Sequence, residues 1–262
     1  MSVSVVVPAY NAEKYLLDCL VSIKKQNLVP DQVILVDDGS TDDTVGIARE
    51  NGVQVARHEK NMGIGYSRQH GAEIAASDYV GFLSADDSYL PCFLSTMLEY
   101  ADGKAILFSD YYRCNEKQQI QSVFTAPHYD SQEAFRNLAI QWALRKNMFT
   151  CFSTVLIPHW VFNQVTFHKE LRHGEDLVFL LETVKHGVPW VHVEQPLVKY
   201  RVHSQSGTRK ARNEVEWQQL WNAQTPILKM LGVSDERIMT AKAQNHKVAF
   251  PTILRRIMTK RA

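Results

Sequence analysis

Val33-Ile34-Leu35-Val36-Asp37-Asp38-Gly39-Ser40-Thr41-Asp42-Asp43-Thr44 is a short apolar run that ends in a pair of carboxylates. Four consecutive apolar residues without polar alternation describe a strand buried on both faces, as in a parallel sheet. Gly39 permits a sharp turn, and Ser40, Thr41 or Asp42 can cap a helix running from Asp42 to Glu50. In open α/β sheets ligands bind beyond the carboxyl ends of the strands. Adjacent acids there are costly without a partner, and a metal, a base edge or a ribose hydroxyl would each serve.

The same alternation extends in both directions. Val3 to Val7 is a β-branched run ended by Pro8, and Ala12 to Gln26 has helical spacing with Leu16, Cys19, Leu20 and Ile23 on one face. Val53 to Ala56 reads as a strand and Gly65 to Ala76 as a helix. Tyr79 to Leu83 is another apolar strand, and it too runs into acids, Ser84-Ala85-Asp86-Asp87. Leu90 to Tyr100, with Pro91 in its first turn, reads as a helix and Ala105 to Phe108 as a strand. Strands alternating with helices predict an α/β fold with a mostly parallel central sheet flanked by helices. Beyond residue 110 the pattern changes. Helices are expected at Ser131 to Leu144 and Glu175 to Lys185, and a strand at Ser153 to Ile157. A strand pair is expected at Trp190 to Val193 and Leu197 to Val202, then helix over the last ~50 residues. The division expected is a ligand-binding half at 1–110, a mixed half at 111–206 and a helical extension at 207–262.

Composition narrows the function. The chain has 262 residues, 45% hydrophobic, with net charge +1, so no global field steers it to nucleic acid. The balance is uneven: from Thr208 onward 11 Lys and Arg stand against 4 Asp and Glu, while the rest carries 18 against 24. Cys19, Cys92, Cys114 and Cys151 form no Cys-x-x-Cys pair and no zinc spacing, which fits a reducing compartment. No apolar run approaches the ~18 residues that span a bilayer, and the N-terminus has no signal-peptide pattern. A cytoplasmic protein is expected.

Two strands ending in Asp-Asp would crowd four carboxylates on one rim. Like charges there raise each other's pKa unless a cation or donors compensate. Oxygen ligands favour Mg²⁺ or Mn²⁺, ions that usually complete their shell with water and substrate phosphates. A nucleoside diphosphate is therefore a natural occupant. Arg172-His173-Gly174-Glu175-Asp176 opens a helix, and acids at a helix N-terminus are favourable without any function. Tyr200-Arg201-Val202-His203 alternates like a strand; Arg201 could hold a phosphate and His203 a metal.

Taken together, these segments resemble the nucleotide-sugar-dependent glycosyltransferases of family 2, which have the GT-A fold. The matching stretches are Val6-Val7-Pro8-Ala9-Tyr10-Asn11, Val36-Asp37-Asp38-Gly39-Ser40-Thr41-Asp42, Ala85-Asp86-Asp87 and Gly174-Glu175-Asp176. Tyr200-Arg201-Val202-His203, and Asn61-Met62-Gly63 with Arg68, add to them. Together they run in family order from residue 3 to about 206. The resemblance implies that Pro8, Ala9, Tyr10 and Asn11 line the base pocket, and that Asp38, with Asp37, accepts from the base edge. It implies that Gly63 and Arg68 approach the nucleotide and that Asp86 sits near the ribose. Asp87 would be the principal metal ligand, with Asp86 and His203 as further ligands for Mn or Mg. Asp176, beside Glu175, would be the catalytic base, and Arg201 would close over the diphosphate. The activity implied is inverting transfer from a UDP-sugar, the first donor expected, to a glycan or lipid-linked acceptor, as in bacterial cell-surface polysaccharide biosynthesis. Many members carry Asp where this chain has Ser84, and a serine brings no charge to a metal.

Phe250, Ile253, Leu254, Ile257 and Met258 share a helical face ringed by Lys247, Arg255, Arg256, Lys260 and Arg261. A basic amphipathic helix over 245–262 would dock on the body, on a second copy in a homodimer, or on the inner face of the membrane. Ser204 to Arg212 reads as a lid segment. A receiver module is too short to account for the chain. A nucleotidyltransferase would need a Gly-rich basic loop where Pro8-Ala9-Tyr10-Asn11 stands. A catalytically silent sugar-binding relative is the remaining alternative.

Overall fold

The structure, a computed structural model, describes residues 1–145, 151–206 and 213–245. In chain order its first half contains β1 (Val3–Ala9), α1 (Glu13–Lys24), β2 (Gln32–Asp37), α2 (Thr44–Glu50), β3 (Gln54–Arg57), α3 (Ile64–Ile74), β4 (Tyr79–Phe82), β5 (Ser88–Tyr89) and α4 (Phe93–Glu99). Then follow β6 (Ile106–Cys114), β7 (Ile120–Phe124), α5 (Gln132–Arg145), β8 (Val155–Pro158), α6 (Glu175–Lys185), β9 (Trp190–Arg201) and α7 (Glu214–Met230). Residues 235–245 are also helical. The strands form one sheet in the order β3-β2-β1-β4-β8-β6-β9-β5, with β7 on β6.

The first four strands of that order are parallel. Their carboxyl ends therefore share one rim, and the two acidic pairs follow β2 and β4, the strands on either side of β1. β8 runs antiparallel to β4 and β6, and β9 runs parallel to β6. The sheet is thus parallel in the first half and mixed in the second, the α/β arrangement expected.

Alternate residues of the buried strands feed two cores. Val6, Ile34, Val36, Phe82 and Phe108 pack beneath α3, α5, α6 and α7. Val5, Val7, Leu35 and Leu107 pack beneath α1 and α4. On the first face Phe82, Phe152, Phe167 and Phe179 are packed with ring centroids 4.3–5.9 Å apart. That cluster ties α6 to β4 and to the turn before β8, at about 0.5–1.5 kcal/mol per aromatic pair beyond burial. Helix α3 lies so close to β1 that a Cβ on Gly71 would stand 2.3 Å from Val6 Cγ1.

Some boundaries differ from the sequence reading, each for a local reason. Pro8 does not end β1. Pairing with β4 stops at Val6 and Phe82 while pairing with β2 continues to Ala9 and Asp37. Pro8 therefore sits where the β4 ladder has already ended, and its missing N–H costs no ladder bond. Helix α4 begins at Phe93, after Pro91, whose carbonyl accepts from the Asn27 N–H.

The expected strand pair at 190–193 and 197–202 is one strand, β9. Opposite Ser109 and Asp110 stand Val193 and Pro196, so Glu194 and Gln195 bulge out of the ladder. The other edge of β9 at Trp190 is closed by a side chain. Gln132 accepts from the Trp190 N–H at 3.0 Å and donates to its carbonyl at 2.9 Å. Strand edges left open invite pairing with another chain, and this amide occupies that one.

No described helix is long and apolar enough to cross a membrane. The basic stripe from 245 onward falls, beyond its first residue, outside the described residues, as does the expected lid segment after Ser206.

Candidate active site

At the end of β2 the chain turns through Asp37 and Asp38, and both are buried. Asp37 Oδ2 meets Arg57 Nε at 3.0 Å and accepts from the Ser40 N–H. Asp38 accepts from the N–H groups of Met62 and Gly63, each at 2.8 Å, and lies 2.8 Å from His58 Nδ1. A carboxylate has about four acceptor positions, so most of its capacity is used internally. Asp38, expected to read a base edge, also straps the 58–63 loop to the sheet. His58 continues the chain to His70 Nδ1 at 2.9 Å.

Beside it, β1 leads into Tyr10 and Asn11, both exposed. Asn11 has φ +49° and bridges to the β2 loop: its N–H donates to Ser40 Oγ, and its side chain accepts from the Thr41 N–H. Pro8 and Ala9 are buried beneath.

The turn after β4 separates the second acidic pair. Asp87 is 1% exposed, takes the Ser153 hydroxyl at 2.6 Å and accepts from the Arg201 N–H at 2.9 Å. Burial first, and then the neighbouring Asp86 charge, push its carboxyl well above the usual range. Asp86 remains one-third exposed, and its Oδ2 lies 2.9 Å from His203 Nε2. Strand β5 makes this meeting possible. Ser88 and Tyr89 pair with Lys199 and Val198, which draws the acidic turn under the end of β9.

Arg201, expected over a diphosphate, makes one hydrogen bond within the fold from each guanidinium nitrogen. Nε donates to the Asp86 carbonyl, Nη1 to the Glu116 carbonyl and Nη2 to Asp18, at 2.8, 2.9 and 2.8 Å. Arg68 is likewise buried, with Nη1 2.5 Å from Glu175 Oε1 and its guanidinium 4.5 Å from the Phe152 ring. Arg68 and Glu175 were separate candidates; they are one buried ion pair joining α3 to α6. Such a pair gains little net stability but is costly to break.

Asp176 follows Glu175 in the first turn of α6 and is only partly buried. One carboxylate oxygen accepts from the Leu177 N–H at 2.8 Å. The turn that delivers it depends on Gly174, which has φ +78° and where any Cβ would meet Leu220 at 2.8 Å. Asp176 is linked to the β4 turn through a run of contacts: Glu175 to Arg68, Arg68 to Phe152, and Ser153 to Asp87.

The donor set bears on the expected metal. Among the described residues no group of three or more His, Cys, Asp or Glu side chains could hold an ion alone. Asp86 and His203 supply one carboxylate and one imidazole in contact, with the carboxylate open to solvent. Mn²⁺, which accepts nitrogen more readily than Mg²⁺ does, fits such a pair with phosphate and water as its remaining ligands. Asp87, expected as the principal ligand, lies next to Asp86 and accepts from the Ser153 hydroxyl and the Arg201 N–H.

Ser153, Tyr15 and Glu116 were not singled out by the sequence. Each acts only through a contact distant along the chain, and no local pattern marks it.

Comparison with known proteins follows the same lines. The family model for glycosyl transferase family 2 matches residues 4–164. Glycosyltransferase GlyG of Streptococcus pneumoniae serotype 4 is 28% identical over 187 residues, covering 66% of this chain and 62% of GlyG. The amylovoran biosynthesis glycosyltransferase AmsB of Erwinia amylovora is 25% identical over 84% of this chain and 76% of its own. Among solved structures, residues 1–349 of S. aureus TarS in complex with UDP-GlcNAc match with TM-score 0.70 and 23% identity, covering 90% of this chain and 68% of that one. The chain thus spans less than two thirds of the length of the pneumococcal relative.

Proposed function

The chain belongs to glycosyl transferase family 2, and on that premise we propose that it moves a sugar from a nucleoside-diphosphate donor to an acceptor hydroxyl by a single displacement with inversion. The observation that carries this reading is the meeting of Asp86 and His203, 117 residues apart, at 2.9 Å on the carboxyl rim of the sheet. Asp176 stands partly exposed at the far end of the contacts that start from Asp87.

The barrier has two parts. The departing nucleoside diphosphate gains negative charge, and the attacking hydroxyl must lose a proton. A divalent ion held by Asp86 and His203 would neutralise the first. Asp176 takes up the second, as a carboxylate within ~3 Å of the hydroxyl can do. The remaining acids and cations hold these groups in place: Asp87 and Arg201 anchor the metal turn, Arg68 and Glu175 anchor the base, and Asp38 fastens the loop bearing Gly63. Tyr10 and Asn11, open at the end of β1, are assigned to the nucleoside base together with Pro8 and Ala9. A UDP-sugar is the first donor to try, because TarS was solved with UDP-GlcNAc. A glycan or lipid-linked oligosaccharide is the acceptor class.

The test is a thermal-shift panel of nucleoside diphosphates and nucleotide sugars, each with and without Mn²⁺. A ligand at 100 times its Kd that binds only the folded state adds about 2.7 kcal/mol. A Mn²⁺-dependent rise with one nucleotide class supports the reading and names the donor. If no nucleotide shifts the transition under either condition, the proposal fails.

A further inference from the structure

Histidines that bind metals usually have their second ring nitrogen held by a carboxylate, a carbonyl or water, which fixes the plane of the ring. His203 lacks this. Its Nε2 faces Asp86, but its Nδ1 is buried with no hydrogen-bond partner among the described residues. Something else must set the imidazole plane, and the ring of Tyr15 lies against it. The two ring centroids are 4.6 Å apart at an interplanar angle of 49°.

Tyr15 is itself held firmly. It lies in the first turn of α1, 8% exposed, and its hydroxyl donates to Glu116 Oε1 at 2.8 Å. The Arg201 guanidinium sits over the same ring at 4.7 Å, and that guanidinium is fixed by its three acceptors. Glu116, in the turn between β6 and β7, also pairs with Lys14. The tyrosine is therefore packed against a fixed cation and an imidazole, with its far end tied to a hairpin from the second half of the chain.

We propose that Tyr15 is the positioning residue for His203: its clamped ring holds the imidazole so that Nε2 faces Asp86, and in this way it sets the divalent-ion affinity of that pair. The proposal rests on the reading of Asp86 and His203 as the ion-holding groups. Tyr15 touches neither ion nor substrate in this scheme and acts only through His203.

The experiment measures Mn²⁺ binding to the full chain, alone and with UDP, by the loss of the free-ion electron paramagnetic resonance signal. UDP binding in chelator is measured alongside by calorimetry. Tyr15→Leu, which removes the ring, should weaken Mn²⁺ about tenfold, in the range that outer-shell metal partners command, and leave UDP affinity in chelator within about twofold. Tyr15→Phe keeps the ring but loses the bond to Glu116, and should, like Glu116→Ala, weaken Mn²⁺ about threefold, well short of the leucine variant. If the leucine variant does not fold, Glu116→Ala decides. It frees the tyrosine from the surface side and should weaken Mn²⁺ by about threefold. His203→Ala is the reference. Unchanged Mn²⁺ affinity in Tyr15→Leu or Glu116→Ala, where His203→Ala loses it, overturns the role of Tyr15 alone. Unchanged affinity in His203→Ala overturns the ion-holding pair as well.

Discussion

Ser153 donates a 2.6 Å hydrogen bond to Asp87, and the same hydroxyl lies 3.2 Å from Ser84 Oγ and from the Ser84 N–H. The position where many family members carry an acid is therefore linked, in this chain, to a hydroxyl that steadies the next acid along. Ser153→Ala should leave a buried carboxylate short of a donor and cost about 1–3 kcal/mol. Urea denaturation without ligand checks this. A loss below about 0.5 kcal/mol would mean the hydroxyl is dispensable.

Asp87 gives a pH signature with a definite sign. Its carboxyl is held above the ordinary range by burial and by the Asp86 charge. A raised carboxyl favours folding while protonated. That contribution is whole below the ordinary carboxylate value and is lost as pH rises through the raised folded one. Asp87→Asn removes the ionisation, so in chelator its melting temperature should exceed wild type at neutral pH, with the difference closing toward pH ~4, near the ordinary carboxylate value. A variant less stable than wild type at neutral pH would contradict this.

Asp176 and Asp38 should separate chemistry from architecture. Asp176→Asn should lower turnover at least a hundredfold, at the low end of general-base contributions, with donor affinity and melting temperature near wild type. Asp38→Ala strands the N–H groups of Met62 and Gly63 and should cost about 2–4 kcal/mol of stability. If Asp38→Ala lost nucleotide affinity with unchanged stability, Asp38 would read the base, as expected from the sequence, and not hold the loop.

Gly174→Ala tests the delivery of Asp176. A side chain in the left-handed region costs about 1–2 kcal/mol, and here its Cβ would also press on Leu220 of α7. Unfolding should come earlier and kcat should fall, while KM for the donor stays within about threefold. Equal changes in kcat and donor KM would show instead that the donor side had moved.

Much of this was legible along the chain. The apolar runs before Asp37 and Asp86 announce strands because both faces are buried, and the acids announce a rim because they follow those strands directly. Asp176 was visible as a helix-opening acid. What could not be read was which acids turn outward. Asp38 and Asp86 sit in similar motifs, yet one is wrapped by N–H groups from residues 24 and 25 positions away and the other is left one-third open. Arg68 and Glu175, 107 residues apart, look like independent charges until the fold joins them. The unity of β9 was hidden because Glu194-Gln195-Pro196 has the composition of a turn.

That interruption in β9 has a consequence for how such a strand can change. Its first half is locked to the core through Trp190, and its last residue, Arg201, is locked to the acidic turn. Two fixed ends would normally forbid any alteration of length between them. The slack at Glu194 and Gln195 works as an expansion joint: residues can be gained or lost there without dragging His203 away from Asp86. The surface beside the bulge is thus free to vary in shape while the register at the rim is preserved.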